Sequence, residues 1–243
     1  MFGKNIIMKA EHDNDGNVLH VVGIFHTIQG EGPLAGEAAI FIRLTGCNLR
    51  CHYCDTDFES DTRSMTVGDM IQVVDSISHR YPLTKYVVLT GGEPMRQNIV
   101  PLIKSLVGFG FKVQIETAGT LWLPELEHYT FSPVVGSPAP VTIVCSPKTG
   151  KINATLEEYI SAWKYIITDG EVGLDGLPIV SSQIKGAACE IARPITSIAP
   201  IYIQPCDAHD DKQSKANMTA VATIAQEHGY RVSLQLHKYL DVE

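Results

Sequence analysis

No stretch of this chain is long and apolar enough to span a bilayer, which excludes a helical membrane protein. The first residues, Met1 to Lys9, lack the apolar core of a signal peptide, so the expected compartment is cytoplasmic. Basic charge is scarce. Nineteen Lys and Arg face 27 Asp and Glu, a net charge of −8. That balance argues against a nucleic acid or an anionic membrane as partner. There is no internal repeat, low-complexity tract or obvious linker. With 243 residues and 44% hydrophobic content, the chain is expected to form a single domain over residues 1–243. In a reducing compartment its six cysteines are ligands or buried thiols rather than disulfides.

Three of those cysteines are clustered. Cys47, Cys51 and Cys54 are spaced C-x3-C-x2-C, directly after the apolar, β-prone run Ala39 to Leu44. The run predicts a strand with the cysteines on the loop at its C-terminal end. Three thiolates on one short loop can converge on one metal centre. A structural zinc would want four protein ligands, whereas three suit a cubane iron–sulfur cluster with one iron left open. Such an iron can bind the amino and carboxylate groups of a small molecule. Cys145, Cys189 and Cys206 have no clustered spacing and read as buried or incidental thiols.

Along the chain, Asp15-Gly16 predicts a turn between two short N-terminal strands, the second over Val18 to Phe25. The polar, glycine-bearing segment His26 to Pro33 suits a backbone that closely approaches a ligand, or a simple glycine-rich turn. Thr66 and Asp69 form a capping-box pattern ahead of a helix that should end near Tyr81-Pro82. Strand Tyr86 to Leu89 delivers Thr90-Gly91-Gly92-Glu93-Pro94. A helix over Gln97 to Val107 and a strand over Phe111 to Ile115 follow, the strand ending in Glu116. Residues 132–140 hold three prolines and read as a loop. Strand Val141 to Cys145 ends in Ser146-Pro147-Lys148. Strands are also expected over Trp163 to Ile167, over Ile201 to Ile203 ahead of Gln204-Pro205, and over Tyr230 to Leu236. A helix spans Ala216 to Glu227. Residues 169–177 read as exposed, and residues 178–197 carry no legible pattern. Strands alternating with helices define an α/β class with a mostly parallel sheet. Polar residues at the C-terminal ends of strands are the habit of α/β barrels. The pattern alone does not choose between a closed barrel, an open barrel and a doubly wound sheet.

The cysteine spacing, Tyr53 before the third cysteine, and the later Gly91-Gly92-Glu93 resemble the radical S-adenosylmethionine (radical SAM) enzymes. Within them, Phe25-x-Thr27-x-Gln29-Gly30-Glu31-Gly32, Cys54-Asp55-Thr56-x-Phe58, Glu116-Thr117-x-Gly119 and Ser146-Pro147-Lys148 resemble the 7-carboxy-7-deazaguanine synthase (QueE) family. The resemblance runs from Phe25 to about Leu240. It implies a partial, open TIM-like barrel with an abbreviated helix set, and a homodimer. It implies a carbon–nitrogen lyase that contracts 6-carboxy-5,6,7,8-tetrahydropterin to 7-carboxy-7-deazaguanine with loss of ammonia, in queuosine and deazapurine biosynthesis. The implied cofactors are a 4Fe-4S cluster on Cys47, Cys51 and Cys54, S-adenosylmethionine, and Mg2+ on the Thr56 hydroxyl. SAM would meet Tyr53, Cys54, Asp55, Gly92, Glu93, Glu116, Ser146, Pro147, Lys148 and Gln204. Glu116 admits a second reading as a loop cap. Substrate would meet Ile28, Gln29, Gly30, Glu31, Arg43 and Thr90. A flavodoxin or ferredoxin would supply the electron that lets a 5′-deoxyadenosyl radical form, take a hydrogen atom and return it. The C-terminal carboxylate that reaches substrate in some members is in question, because this sequence continues to Glu243.

Two other classes share parts of the pattern. A radical SAM activase that generates a glycyl radical on a partner protein shares the cysteine spacing but gives no reason for Gln29-Gly30-Glu31-Gly32 or Thr56. A non-enzymatic zinc or iron–sulfur module gives no reason for polar motifs at so many strand ends. The first prediction follows from the cysteines. Cys47→Ala, Cys51→Ala and Cys54→Ala each lose cluster iron and SAM cleavage after anaerobic reconstitution, whereas Cys145→Ala, Cys189→Ala and Cys206→Ala keep both. An isolated cysteine that proves indispensable to iron uptake overturns the three-ligand reading.

Overall fold

The computed structural model describes residues 5–131 and 138–242. Nine strands form one sheet: β1 (Val18–Ile28), β2 (Ala38–Leu44), β3 (Arg63–Thr66), β4 (Tyr86–Gly91), β5 (Lys112–Thr117), β6 (Val141–Cys145), β7 (Ala162–Ile167), β8 (Ile201–Pro205) and β9 (Arg231–Val232). Their order is β3-β1-β2-β4-β5-β6-β7-β8-β9. From β2 through β9 every pairing is parallel, and β1 joins β2 and β3 antiparallel. The end strands β3 and β9 do not pair with each other, so the sheet is an open partial barrel. The helices are α1 (Val67–Arg80), α2 (Val100–Gly108), α3 (Glu127–Thr130), α4 (Asp211–His228) and α5 (Leu236–Leu240). No α-helix stands between β6 and β7 or between β7 and β8. The helix set is abbreviated, as the resemblance implied.

Period-two alternation divides the sheet's residues between two faces. Ile40, Ile42, Leu44, Val87, Leu89, Val113, Ile115, Ile143, Trp163, Tyr165 and Ile203 belong to the main apolar core, with Met70, Val74, Leu102, Leu106, Val221 and Ile224 from the helices. Phe41, Arg43, Thr90, Glu116, Val144, Lys164, Ile166 and Gln204 alternate with them and line a cavity.

The capping box at α1 is present. Thr66 Oγ1 accepts from Asp69 N at 3.1 Å, and Thr66 N donates to the Asp69 carboxylate at 3.4 Å. Other expectations need correction. The helix expected from Gln97 begins at Val100, with Pro101 in its first turn. Gln97 instead spans the backbone of His20, accepting from its N at 2.7 Å and donating to its O at 3.0 Å. Helix α4 begins at Asp211, ahead of the expected Ala216, because Asp210 caps it through Gln213 N at 2.8 Å. The last strand is only Arg231–Val232. Beyond it the chain leaves the sheet, and Leu236 N bonds Gly30 O at 3.1 Å as α5 starts. The first of the two N-terminal strands does not form among the described residues; Ile7 and Glu11 make isolated bridges to Cys47 and Gln97. Residues 132–137 of the proline-bearing segment lie outside the described residues.

Those bridges tie an N-terminal arm beneath the cysteine loop. Arg96, fully buried, holds it: one guanidinium nitrogen meets Glu11 Oε1 at 2.7 Å and Lys9 O at 3.3 Å, and the other donates to Thr45 O at 3.2 Å. Arg96→Leu strands those acceptors without a donor and is expected to cost about 3 kcal/mol. Glu11→Gln keeps an oxygen against the guanidinium and should cost about 1 kcal/mol. Urea unfolding of both variants measures the difference; equal losses overturn the anchoring role of Arg96.

Candidate active site

The strand register brings the polar alternates together. Arg43 of β2 pairs with Thr90 of β4, and Ile166 of β7 with Gln204 of β8. The cysteine loop, the turn after β1 and the C-terminal segment close over them around a cavity of about 330 Å³. Of the residues expected at the site, Cys47, Cys51, Tyr53, Cys54, Asp55, Thr56, Gly92, Glu116, Ser146, Lys148 and Gln204 line it, as do Ile28, Gln29, Gly30, Glu31, Arg43 and Thr90. Two do not. Pro147 lies behind, in a small hollow with His52 and Tyr53. Glu93 is buried under the cavity floor, accepting from Met95 N at 3.1 Å, Thr117 Oγ1 at 2.8 Å and Ala118 N at 2.9 Å. Burial pushes its carboxyl up, against the hydrogen bonds that favour its anion.

The cysteine loop and the glycine loop touch backbone to backbone. Gly92 N donates to Leu44 O at 3.1 Å and Glu93 N to Gly46 O at 2.9 Å. A Cβ on Gly91, whose φ is +123°, would stand 2.1 Å from Leu44 O, and one on Gly92 would stand 1.9 Å from Gly46 O. No other residue fits there without moving a strand end.

Two polar networks form the wall. In the first, Glu116 accepts from Gln29 Nε2 at 2.8 Å, Thr90 Oγ1 at 3.1 Å and Gln114 Nε2 at 3.3 Å. Glu116 thus joins residues expected to meet substrate. In the second, Glu31 is ion-paired to Lys164 and accepts from Gln204 Nε2 at 3.1 Å and Gln235 Nε2 at 2.9 Å. Burial raises the Glu31 carboxyl, but the Lys164 charge and the hydrogen bonds outweigh it and hold it at about 2. The same pairing outweighs burial at Lys164 and raises its ammonium. Burial, reinforced by the like charge of Lys164, pulls the Lys148 ammonium down, and that group folds back onto Ser146 O at 3.0 Å. Arg43 lies 5.2 Å from the Phe25 ring centre, and its buried Nε has no hydrogen-bond partner among the described residues. A half-buried guanidinium with a buried, unpaired Nε donor fits an anionic group in the cavity.

The cysteines meet a second test. Among the described residues, no three His, Cys, Asp or Glu side chains close on a single point where one metal ion would sit. A cubane is a larger body and spreads its ligands over separate irons. The thiols already meet donors suited to ligated sulfur: Leu49 N to Cys47 Sγ at 3.4 Å and Gln183 Nε2 to Cys51 Sγ at 3.2 Å. Burial, then the nearby Glu93, pushes the Cys47 thiol up to about 12, so metal uptake must displace its proton.

Sequence reasoning missed several residues. Lys164 was visible as a lone cation in an apolar strand, alternating with Trp163 and Tyr165. Gln235, His237 and Lys238 reach the cavity from the C-terminal segment, and Asn5 from the N-terminal arm. Ser182 and Gln183, in the stretch without pattern, pack against the cysteine loop. No local signal marks them.

The open parallel barrel and this site define a radical SAM domain, and the radical SAM superfamily model matches residues 41–165. The chain is 40% identical to the 7-carboxy-7-deazaguanine synthase of Rhodospirillum rubrum, covering 100% of both chains. It is 39% identical to that of Rickettsia prowazekii, over 100% of this chain and 96% of the relative. To that of Aquifex aeolicus it is 39% identical, over 90% of this chain and 92% of the relative. The chain belongs to the 7-carboxy-7-deazaguanine synthase family. The crystal structure of QueE from Escherichia coli shares the fold, with a TM-score of 0.63 at 20% identity over 92% of this chain and 99% of that one.

The Glu31–Lys164 pair carries a pH prediction. A carboxyl depressed in the folded state stabilises above its ordinary value of 4.5, and that contribution is lost as pH falls towards about 2. Glu31→Gln leaves Lys164 buried and unpaired, so the variant should be less stable at pH 7, with the gap to wild type closing between pH 4.5 and about 2. Urea unfolding across that range tests it; a gap independent of pH overturns the ion-pair account.

Proposed function

We propose that this chain contracts 6-carboxy-5,6,7,8-tetrahydropterin to 7-carboxy-7-deazaguanine with release of ammonia, in queuosine and deazapurine biosynthesis. The observation that carries this reading is one cavity holding three clustered thiols and, on the wall beside them, a guanidinium whose buried Nε is unpaired and amide and carboxylate groups. Cys47, Cys51 and Cys54 would hold the 4Fe-4S cluster. Ser146, Lys148, Gln204, Tyr53, Asp55 and the Gly92 backbone would hold SAM, with Glu93 and Pro147 shaping the loops from behind. When bound, cluster and SAM would supply the hydrogen-atom-transfer chemistry.

The protein's own residues bind, orient and exclude water. Arg43 would fork onto the substrate carboxylate. Thr56 Oγ1 donates to Asp55 Oδ1 at 3.4 Å, which leaves its lone pairs free for Mg2+. Magnesium accepts few protein oxygens and would complete its shell from substrate and water. Gln29 and Thr90, fixed by Glu116, would meet donors and acceptors on the pterin ring, with Ile28, Gly30 and Glu31 beside them. We assign the whole chain to a single domain, to the cytoplasm, to a homodimer, and to reduction by a flavodoxin or ferredoxin. No described helix is long and apolar enough to cross a membrane.

The test is product formation from carboxytetrahydropterin by the reconstituted protein with SAM and a reductant. Wild type forms 7-carboxy-7-deazaguanine and responds to magnesium after chelation. Arg43→Lys binds substrate roughly ten- to a hundredfold more weakly, with SAM affinity unchanged. Thr56→Val keeps SAM cleavage but loses the magnesium response. SAM cleavage by wild type without this product overturns the assignment.

A further inference from the structure

We infer that Gln183 is a positioning residue that donates an N–H···S hydrogen bond to Cys51 and thereby raises the reduction potential of the cluster. This rests on the reading that Cys47, Cys51 and Cys54 hold it. The orientation of the Gln183 amide follows from its partners. Its oxygen accepts from the N of Arg50, the residue before Cys51, at 2.8 Å. Its nitrogen therefore faces the other way, with one hydrogen for Ser182 Oγ at 2.7 Å and one for Cys51 Sγ at 3.2 Å. A flipped amide would set oxygen against sulfur and NH2 against the Arg50 N–H, and both contacts would be repulsive.

Ser182 does not compete for this role. Its hydroxyl hydrogen is committed to Lys148 O at 2.5 Å, and the residue is 1% exposed. Its own carbonyl accepts from His52 N at 2.9 Å, so the segment is fastened to the cysteine loop from both sides. Cys47 has a backbone donor in Leu49 N, while Cys54 Sγ faces the Thr56 carbonyl at 3.8 Å. Among the described residues, Gln183 is the one side chain that donates to a cluster sulfur through nitrogen.

On reduction the cluster gains one electron from a low-potential one-electron donor, which is oxidised by one. No bond is made or broken at Gln183 and no proton moves. The added charge is shared with the ligating sulfurs, so an N–H donor stabilises the reduced form more than the oxidised form.

The experiment is an EPR-monitored redox titration of the full chain, reconstituted anaerobically and without SAM, using dithionite and mediators. Gln183→Met removes the donor without adding charge, and Gln183→Glu removes it and adds a negative charge. Both should bind as much iron and sulfide as wild type. The reduced-to-oxidised ratio at fixed potential should fall roughly tenfold in Gln183→Met, about 59 mV for one electron, and further in Gln183→Glu. A Gln183→Met protein that titrates with wild type overturns the inference, whereas wild type that takes up no cluster overturns the functional reading beneath it. Should neither variant load iron, wild type labelled with amide-15N glutamine is measured by spin-echo EPR. A weak 15N coupling is expected, and its absence overturns the proposal.

Discussion

The architecture depends on one place where two backbones meet with no side chain between them. The peptide at Gly46, which opens the cysteine loop, lies against Gly92 so closely that a single added methyl group would overlap its carbonyl oxygen. Main-chain bonds from Gly92 and Glu93 to Leu44 and Gly46 then fix the two loops to one another. Glu93 extends the connection. Its carboxylate, removed from water, is compensated by donors at Met95, Thr117 and Ala118. The ends of β2, β4 and β5 are thereby held as one rigid edge, and that edge carries the thiols, the glycine loop and Glu116. Precision at the site comes from main chain and a buried carboxylate, neither of which samples rotamers freely.

Above that edge the cavity wall alternates charge in a way that leaves selected groups unpaired. Glu31 and Lys164 neutralise each other, and Glu116 is held by neutral donors. Arg43 is left with a buried, partnerless Nε. A wall with every charge matched would offer a ligand only displacement of existing bonds. A wall with an unmatched guanidinium Nε favours an anion, because binding there recovers a hydrogen bond the protein alone does not make. The protein carries this cost on the cavity wall, while the main core on the other face of the sheet is filled with Ile, Leu, Val and aromatic side chains.

What was legible in the sequence was what repeats along a strand. Arg43, Thr90, Glu116, Ser146 and Gln204 each sit at or just beyond an apolar run, so their placement at strand ends followed from those runs, and the strand register put Arg43 beside Thr90. The illegible parts make their contacts across long sequence separations. Arg96 reaches Glu11, Gln183 reaches Cys51, and Gln235 reaches Glu31. Such pairings leave no periodic trace, because each segment is irregular and is ordered only by what it touches. The expected last strand failed for the same reason. Its alternation from Tyr230 to Leu236 is genuine, but Leu236 gains a backbone bond to Gly30 that a continued strand would forgo.

The closures around the cavity differ in strength, and the difference bears on how a ligand enters. At the rim, Lys238 bonds Asp207 at 2.6 Å and stands 3.6 Å from Asp55, with all three side chains between 31% and 38% exposed. Gln235 adds a bond to Asp55 at 2.9 Å. Solvent-accessible ion pairs of this kind contribute about 0–1 kcal/mol each and weaken with salt. Deeper in the wall, the Glu31–Lys164 pair is shielded and shares its carboxylate with Gln204, and breaking it would leave a buried charge unpaired at a cost of several kcal/mol. The rim therefore parts at far lower cost than the wall. The C-terminal segment spans both, since Gln235 also bonds Glu31 at 2.9 Å and Leu236 N bonds Gly30 O at 3.1 Å, so its exposed end is held more weakly than its start.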